Sequence, residues 1–349
     1  MEKILSKENL GEWLAKLDGY DVHGPAFADG VWNYARIEAG GNVDMTHTNT
    51  VRSVKEFAFP QREVFFRFEQ EKGGAPKLTA TVPDPKPTVV FGVRPCDGRA
   101  MPKNDKVFAA EFKDPYYWAR RDRLTLVGLA CNEPHSPNCF CTSVGGSPHA
   151  EEGLDVLMTD LGDRFHVKTI TARGVEIVER GREAFKEARR GDQAEIERLH
   201  AESERHPQRG LGDHGVMEMS GIAEAIRKNF DSPAWQDLAQ PCIGCGICTF
   251  LCPTCHCFDI NDEVTCQTPC QGERVRTWDN CQFPDFTMHT SGHNPRHDLG
   301  ARLRQRVSHK FLYFVDNHKT QQCVGCGRCI SECPVGIDIV NVLEKVVQS

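Results

Sequence analysis

No stretch of this chain approaches the eighteen or so consecutive apolar residues needed to cross a bilayer, so direct membrane insertion is not expected. The first twenty residues, MEKILSKENLGEWLAKLDGY, hold only isolated apolar side chains. They contain neither the apolar region of a secretory signal nor a twin-arginine signal, and a cytoplasmic location is the expectation. Excess positive charge is also lacking. With 42 Lys and Arg against 49 Asp and Glu the formal net charge is −7, which gives no ground for a nucleic-acid partner. No G-x-G-x-x-G follows a strand and no G-x-x-x-x-G-K-[ST] occurs, so dinucleotide and P-loop sites lack support. Two-electron nicotinamide or flavin chemistry is thereby left to other subunits. No cysteine stands with a histidine and a carboxylate in the arrangement of a catalytic nucleophile, and no catalytic residue is assigned.

Cysteine is what the chain has in abundance. Seventeen are present, thirteen of them at or after Cys242. A reducing compartment does not sustain disulfides, so metal ligation is the economical explanation for that density. Two runs carry the signal: Cys242-Ile-Gly-Cys245-Gly-Ile-Cys248-Thr-Phe-Leu-Cys252-Pro253, and Cys323-Val-Gly-Cys326-Gly-Arg-Cys329-Ile-Ser-Glu-Cys333-Pro334. Both follow the C-x₂-C-x₂-C-x₃-C-P spacing of bacterial two-cluster ferredoxins, in which the fourth cysteine ligates the other cluster. Two [4Fe–4S] clusters are therefore expected, one on Cys242, Cys245, Cys248 and Cys333, the other on Cys323, Cys326, Cys329 and Cys252. Structural zinc also takes four thiolates, but zinc ribbons use paired C-x₂-C knuckles and have no need of a third and fourth cysteine at this phase.

Two further groups are less regular. Between the motifs lies an insertion carrying Cys255, Cys257, Cys266, Cys270 and Cys281, enough for an additional metal centre, though their spacing selects no ligand set. Packing beside the clusters is the alternative. In the first half, Cys96 follows one predicted strand and Cys131 another, with Cys139-Phe140-Cys141 on the next loop. If those strands are parallel neighbours, the thiols emerge at one sheet edge, where α/β sites form. Four cysteines there suffice for a third [4Fe–4S] cluster; reduced core cysteines are the alternative.

The fold class expected is an α/β or α+β N-terminal domain joined to a helical, ferredoxin-like two-[4Fe–4S] domain with a long cysteine-containing insertion. Residues 1–180 form the mixed α/β domain, 181–230 a helical linker, and 231–349 the dicluster domain with its insertion at 254–322. Lys7–Leu17 reads as a helix; 64–70, 88–93 and 123–130 read as strands, and 154–171 as a hairpin turning at Gly162-Asp163. The polar stretch 182–206 reads as an exposed helix, broken at Gly191, and a second helix spans about 218–230. Arg274, Arg276, Arg296, Arg302, Arg304, Arg306 and Lys310 make the insertion basic, either as a solvated face or as charges that meet a partner or tune a cluster.

Several uncommon segments go together: RPCDGRA (94–100), DPYYWARRDR (114–123), CNEP and NCFCTSVGGSP between 131 and 148, CPTCHCFDI (252–260), RVRTWDNCQF (274–283), SGHNPR (291–296) and CVGCGRCISECPVGID (323–338). Together they resemble the iron–sulfur beta subunit of cytoplasmic sulfhydrogenases and the A-type subunit of the anaerobic sulfite reductase complex, over nearly the whole chain. The resemblance implies an electron-transfer subunit of a hetero-oligomer. Such a subunit relays single electrons between a flavin-containing, NAD(P)H- or ferredoxin-linked partner on one side and a catalytic hydrogenase or reductase partner on the other. The resemblance also implies that Cys96, Cys131, Cys139 and Cys141 ligate a cluster. Cys266 and Cys270 depart from the family pattern. The competing expectation is a catalytic reductase subunit, acting on a sulfur compound or disulfide at a cluster that lacks one cysteine ligand.

Overall fold

The structure is a computed structural model that describes residues 1–38, 41, 43–206 and 219–348. The first half supplies strands β1 (Glu2–Ser6), β2 (Asp21–Ala28), β3 (Val31–Arg36), β4 (Arg62–Gln70), β5 (Lys77–Ala80) and β6 (Thr88–Val93). Strands β7 (Leu124–Leu129), β8 (Val156–Asp160), β9 (Arg164–Thr169) and β10 (Phe185–Glu187) follow, and the cysteine-rich half adds β11 (Phe258–Gln267) and β12 (Cys270–Trp278). Eight of them form one sheet in the order β10-β1-β9-β8-β7-β6-β2-β3. Its centre, β2 to β6 to β7 to β8, is parallel, and its flanks are antiparallel.

Parallel strands with both faces covered read as continuous apolar runs, which is why TVVFGV and LTLVGL were legible as β6 and β7. Val89 and Phe91 join Trp13, Val127, Val156 and Val167 in one core. The alternate residue Val90 joins Leu124, Leu126, Met101 and Tyr117 on the opposite face. The expected hairpin is β8–β9, closed around Gly162 at φ 98°. The expected N-terminal helix forms as a 3₁₀ turn (Lys7–Asn9) and an α-helix (Leu10–Ala15) that buries Leu10, Trp13 and Leu14.

Residues 182–206 do more than link domains. Phe185–Glu187 pairs with β1 as the edge strand β10. The helix Arg190–Arg205 then packs through Ile196 against Ile4 and Leu161. No break occurs at Gly191, which lies in that helix's first turn, where the Asp192 carboxylate accepts the Arg189 N–H at 2.8 Å. Residues 207–218 of the anticipated linker, with the start of its second helix, lie outside the described residues; that helix runs Met219–Lys228.

On the helix Arg190–Arg205, His200 stacks on His149 with ring centroids 4.0 Å apart and bonds Thr159 Oγ1 at 3.1 Å. Burial, then the neighbouring His149, lowers its pKa to about 4. The unfolded imidazole titrates near 6.5, so between these values the unfolded chain binds the extra proton. Stability from this site is full above pH 6.5 and is lost as pH falls toward 4. A His200→Gln variant is expected to show a shallower loss of denaturation midpoint between pH 6.5 and 4 than the parent.

The second sheet, β11-β12-β4-β5, is antiparallel throughout and joins the two halves of the chain. Its anchor is Arg276 on β12, 2% exposed, which pairs with Glu63 and Asp114. The guanidinium lies 5.0–5.5 Å from the rings of Phe59, Phe65, Phe108 and Phe258. The remaining helices gather Ile226, Trp235, Leu303, Phe311, Val340 and Leu343 into a C-terminal core. Phe140 and Val144, from the cysteine loop of the first half, are buried in that same core. No helix among the described residues is long and apolar enough to cross a membrane.

Candidate iron–sulfur centres

The two cysteine motifs adopt the same local geometry. Gly244 and Gly325 both have φ 68°, and Gly246 and Gly327 have φ 78° and 74°. Positive φ turns the chain tightly enough for successive N–H groups to face the thiols, as Gly244 N–H does toward Cys242 Sγ at 3.4 Å. Each loop ends in a short helix, Ile247–Phe250 or Arg328–Ser331, that carries the third cysteine.

Cys242, Cys245, Cys248 and Cys333 line one cavity, together with Cys329. The fourth cysteine of the second motif is thus beside the first three of the first motif. Ile337 N–H donates to Cys333 Sγ at 3.2 Å. Cys252, in turn, lies in the electrostatic neighbourhood of Cys323, Cys326 and Cys329, whose thiol pKa values are pushed up chiefly by desolvation. Cys333 thus sits with the first three cysteines of the first motif, and Cys252 near the first three of the second.

A second cavity is lined by Cys96, Cys131, Cys139 and Cys141, together with Cys326 of the second motif. Strands β6 and β7 are adjacent and parallel, which brings Cys96 and Cys131 to one sheet edge as expected. Pro95 opens the helix Pro95–Phe108 and places Cys96 in its first turn. The 139–141 loop is held against the second motif by Phe140 N–H to Gly325 O at 2.9 Å. A Cβ on Gly325 would sit 2.5 Å from the Cys141 backbone, so only glycine permits this approach.

Both cavities fit a sulfide-rich anionic group. Buried Arg94 lines the Cys96 cavity with its Nε unpartnered, and buried Arg306 lines the Cys242 cavity with Nη2 unpartnered. A guanidinium N–H held out of water needs an acceptor, and cluster sulfides or thiolates supply one.

A family model for a 4Fe-4S dicluster domain matches residues 241–337, the span of both motifs and the insertion between them. Sulfhydrogenase 2 subunit beta of Pyrococcus furiosus is 30% identical over 325 residues, which is 93% of this chain and 92% of that protein. The chain belongs to the sulfhydrogenase beta-subunit family. No solved structure matches it.

In this sulfhydrogenase beta-type chain the two halves are locked together around the cysteines. Arg328, inside the second motif, forms a two-pronged ion pair with Asp97 at 2.6 and 2.8 Å and donates to Thr50 O at 2.7 Å. Asn49 Nδ2 donates to Cys326 O at 3.1 Å. Farther along the same helix as Asp97, Lys103 donates to Gln321 O at 2.7 Å and Asn104 to Pro253 O at 2.9 Å. Asp97 was foreshadowed only by standing next to Cys96; nothing in the sequence pointed to Asn49, Thr50, Lys103 or Asn104.

The insertion cysteines of this beta-type chain separate into two groups. Cys266 and Cys270 flank the turn of the β11–β12 hairpin, whereas Cys257 precedes its base. Nine residues of strand put the two ends roughly 30 Å apart, too far for a shared centre. The physical reason is the strand itself, which the irregular cysteine spacing concealed. Cys255 and Cys281 are buried, and Cys257 meets Cys281 where the hairpin closes. Nor is the basic character of the insertion a solvated face: Arg276, Arg302, Arg306 and Lys310 are all buried. Only some of its cations, such as Arg274 paired with Asp262, lie outside.

Proposed function

We propose that this chain is the single-electron relay of a hetero-oligomeric oxidoreductase. In this reading Cys242, Cys245, Cys248 and Cys333 hold one [4Fe–4S] cluster, and Cys323, Cys326, Cys329 and Cys252 hold a second. Cys96, Cys131, Cys139 and Cys141 hold a third. The observation that carries it is the continuity of the thiol-lined spaces: Cys326 borders the Cys96 cavity, and Cys329 borders the Cys242 cavity. Bound there, such clusters supply one-electron acceptance and donation at potentials set by charge, hydrogen bonds to sulfur and exposure.

The chain's own residues do the rest. The positive-φ glycines aim N–H groups at sulfur, and the core around Phe140, Val307 and Phe311 keeps water from the interior side. Arg328 with Asp97 fixes the distance between the N-terminal site and the second motif. The partners proposed are a flavoprotein linked to NAD(P)H or ferredoxin at one end and, at the other, a catalytic hydrogenase or reductase subunit. The subunit status of the Pyrococcus furiosus relative supports a hetero-oligomer.

Iron and acid-labile sulfide analysis of anaerobically purified protein, with EPR spectra after reduction, tests the reading. Signals of magnetically coupled clusters are expected; a colourless protein without sulfide ends the proposal. Replacing Cys139 and Cys141 by serine should remove the iron of one cluster and spare the others. An unchanged iron content in that variant would remove the N-terminal site from the relay.

A further inference from the structure

Three buried cations converge beside the second motif. Lys55, Arg306 and Lys310 are each no more than 5% exposed, and among the described residues none of them pairs with a carboxylate. Cysteine sulfurs are the opposite charges nearest all three, although Lys55 also lies 4.1 Å over the Trp278 ring. Lys310 Nζ is 3.2 Å from Cys252 Sγ and 3.1 Å from Thr254 Oγ1. Arg306 Nη1 is 3.6 Å from Cys255 Sγ, and Lys55 Nζ donates to Cys255 O at 3.0 Å. Burying an ammonium or guanidinium without a counter-charge is costly, so the sulfur around them must carry negative charge.

Cys252 is assigned to the second cluster, and Cys255, in contact with it, receives Arg306 at its sulfur and Lys55 at its carbonyl. Hairpin closure explains what stands behind it. Asp279 N–H bonds Cys257 O at 3.0 Å and Phe258 pairs with Trp278, which sets Cys257 against Cys281 across 24 residues of chain. Cys281 Sγ also accepts from Gln282 Nε2 and meets Thr249 Oγ1, both at 3.5 Å. Arg306 and Lys310 are presented by one helix, at Leu299–Ser308 and the π-helical turn His309–Tyr313 that continues it. Such π turns recur where a side chain must be re-aimed for function.

We infer that Cys255, Cys257 and Cys281 ligate a further iron–sulfur centre beside the second motif, with Lys55 and Arg306 as its counter-charges and one iron position left to a ligand other than cysteine. Cys266 and Cys270 take no part. This rests on the relay reading in that Cys252, the last cysteine of the first motif, is kept for the second cluster. Three thiols that the other sites do not use distinguish the centre, since the adjoining Cys252 and Cys248 are assigned elsewhere. An all-thiol donor set beside two cysteine motifs of ferredoxin spacing makes an iron–sulfur cluster the class of ligand proposed.

The test is iron and sulfide per chain in the full-length protein, loaded anaerobically, for the parent, Cys257→Ser, Cys281→Ser and the control pair Cys266→Ser with Cys270→Ser. With four clusters in the parent, the first two variants should each lose roughly a quarter of the iron. The control should lose none, and the EPR signals of the other clusters should persist. Native mass spectrometry of the unaltered protein gives an answer that does not depend on how a variant folds: one cluster increment beyond those of the relay sites is expected. Unchanged iron in Cys257→Ser and Cys281→Ser overturns the inference, as does a parent mass showing a Cys257–Cys281 disulfide in place of that increment. The Cys139 and Cys141 variants report separately on the N-terminal site, so failure of one reading is not mistaken for failure of the other.

Discussion

Replacing Arg328 by methionine is expected to cost about 3–5 kcal/mol of stability and to loosen the cysteine motifs from the N-terminal domain. Asp97 is fully buried, and its two oxygens receive both prongs of the Arg328 guanidinium. Without the arginine an ionised carboxylate is left in the interior beside Cys96, and Thr50 O loses its donor. The penalty is the stranded charge more than the lost attraction, so removing both partners in an Arg328→Met, Asp97→Leu double variant should recover much of the loss. Thermal midpoints of the three proteins, with the rate of iron release on anaerobic heating, check this. If the single and double variants are equally impaired, the ion pair is not what holds the halves together.

The second large effect is expected at Arg276. An Arg276→Met substitution leaves Glu63 buried without one of its two arginine partners and withdraws a cation from four aromatic rings. Buried-pair disruption again sets the scale at about 3–5 kcal/mol, to which the lost ring contacts add. Asp114 shares the arginine and also caps the helix Pro115–Arg121 by accepting from the Tyr116 and Tyr117 N–H groups, each at 2.9 Å. The β11–β12 hairpin should therefore loosen from β4 before the rest of the molecule unfolds. Limited proteolysis is the measure: cleavage within 258–278 should appear in the variant under conditions where the parent stays intact. A variant that resists cleavage as well as the parent would show that ladder hydrogen bonding alone secures the hairpin.

Both residues illustrate where reading from sequence stopped. Arginine is ordinarily a surface residue, and a run of them looks like a solvated face. Arg276 and Arg328 are interior because their carboxylates, Glu63 and Asp97, arrive from more than two hundred positions away. The same holds for β12, which pairs with β4 across the whole first half of the chain. Strand β10 escaped notice because three residues carry too little alternation to register, and its partner β1 lies at the opposite end of the domain.

What the amino-acid order determined by itself was everything set by near neighbours or by uniform burial. The two cysteine runs with their glycines are local loops whose thiol directions follow from a dozen consecutive residues. Strands β6 and β7 are apolar throughout because both faces are covered, and that is visible without a fold. Tertiary structure decided which cysteines keep company: it joined Cys96, Cys131, Cys139 and Cys141 to Cys326, drew Cys255, Cys257 and Cys281 around buried cations, and sent Cys266 and Cys270 to a distant hairpin end. Those groupings depend on strand length, sheet pairing and long-range ion pairs, and none of these is written in the spacing of the cysteines.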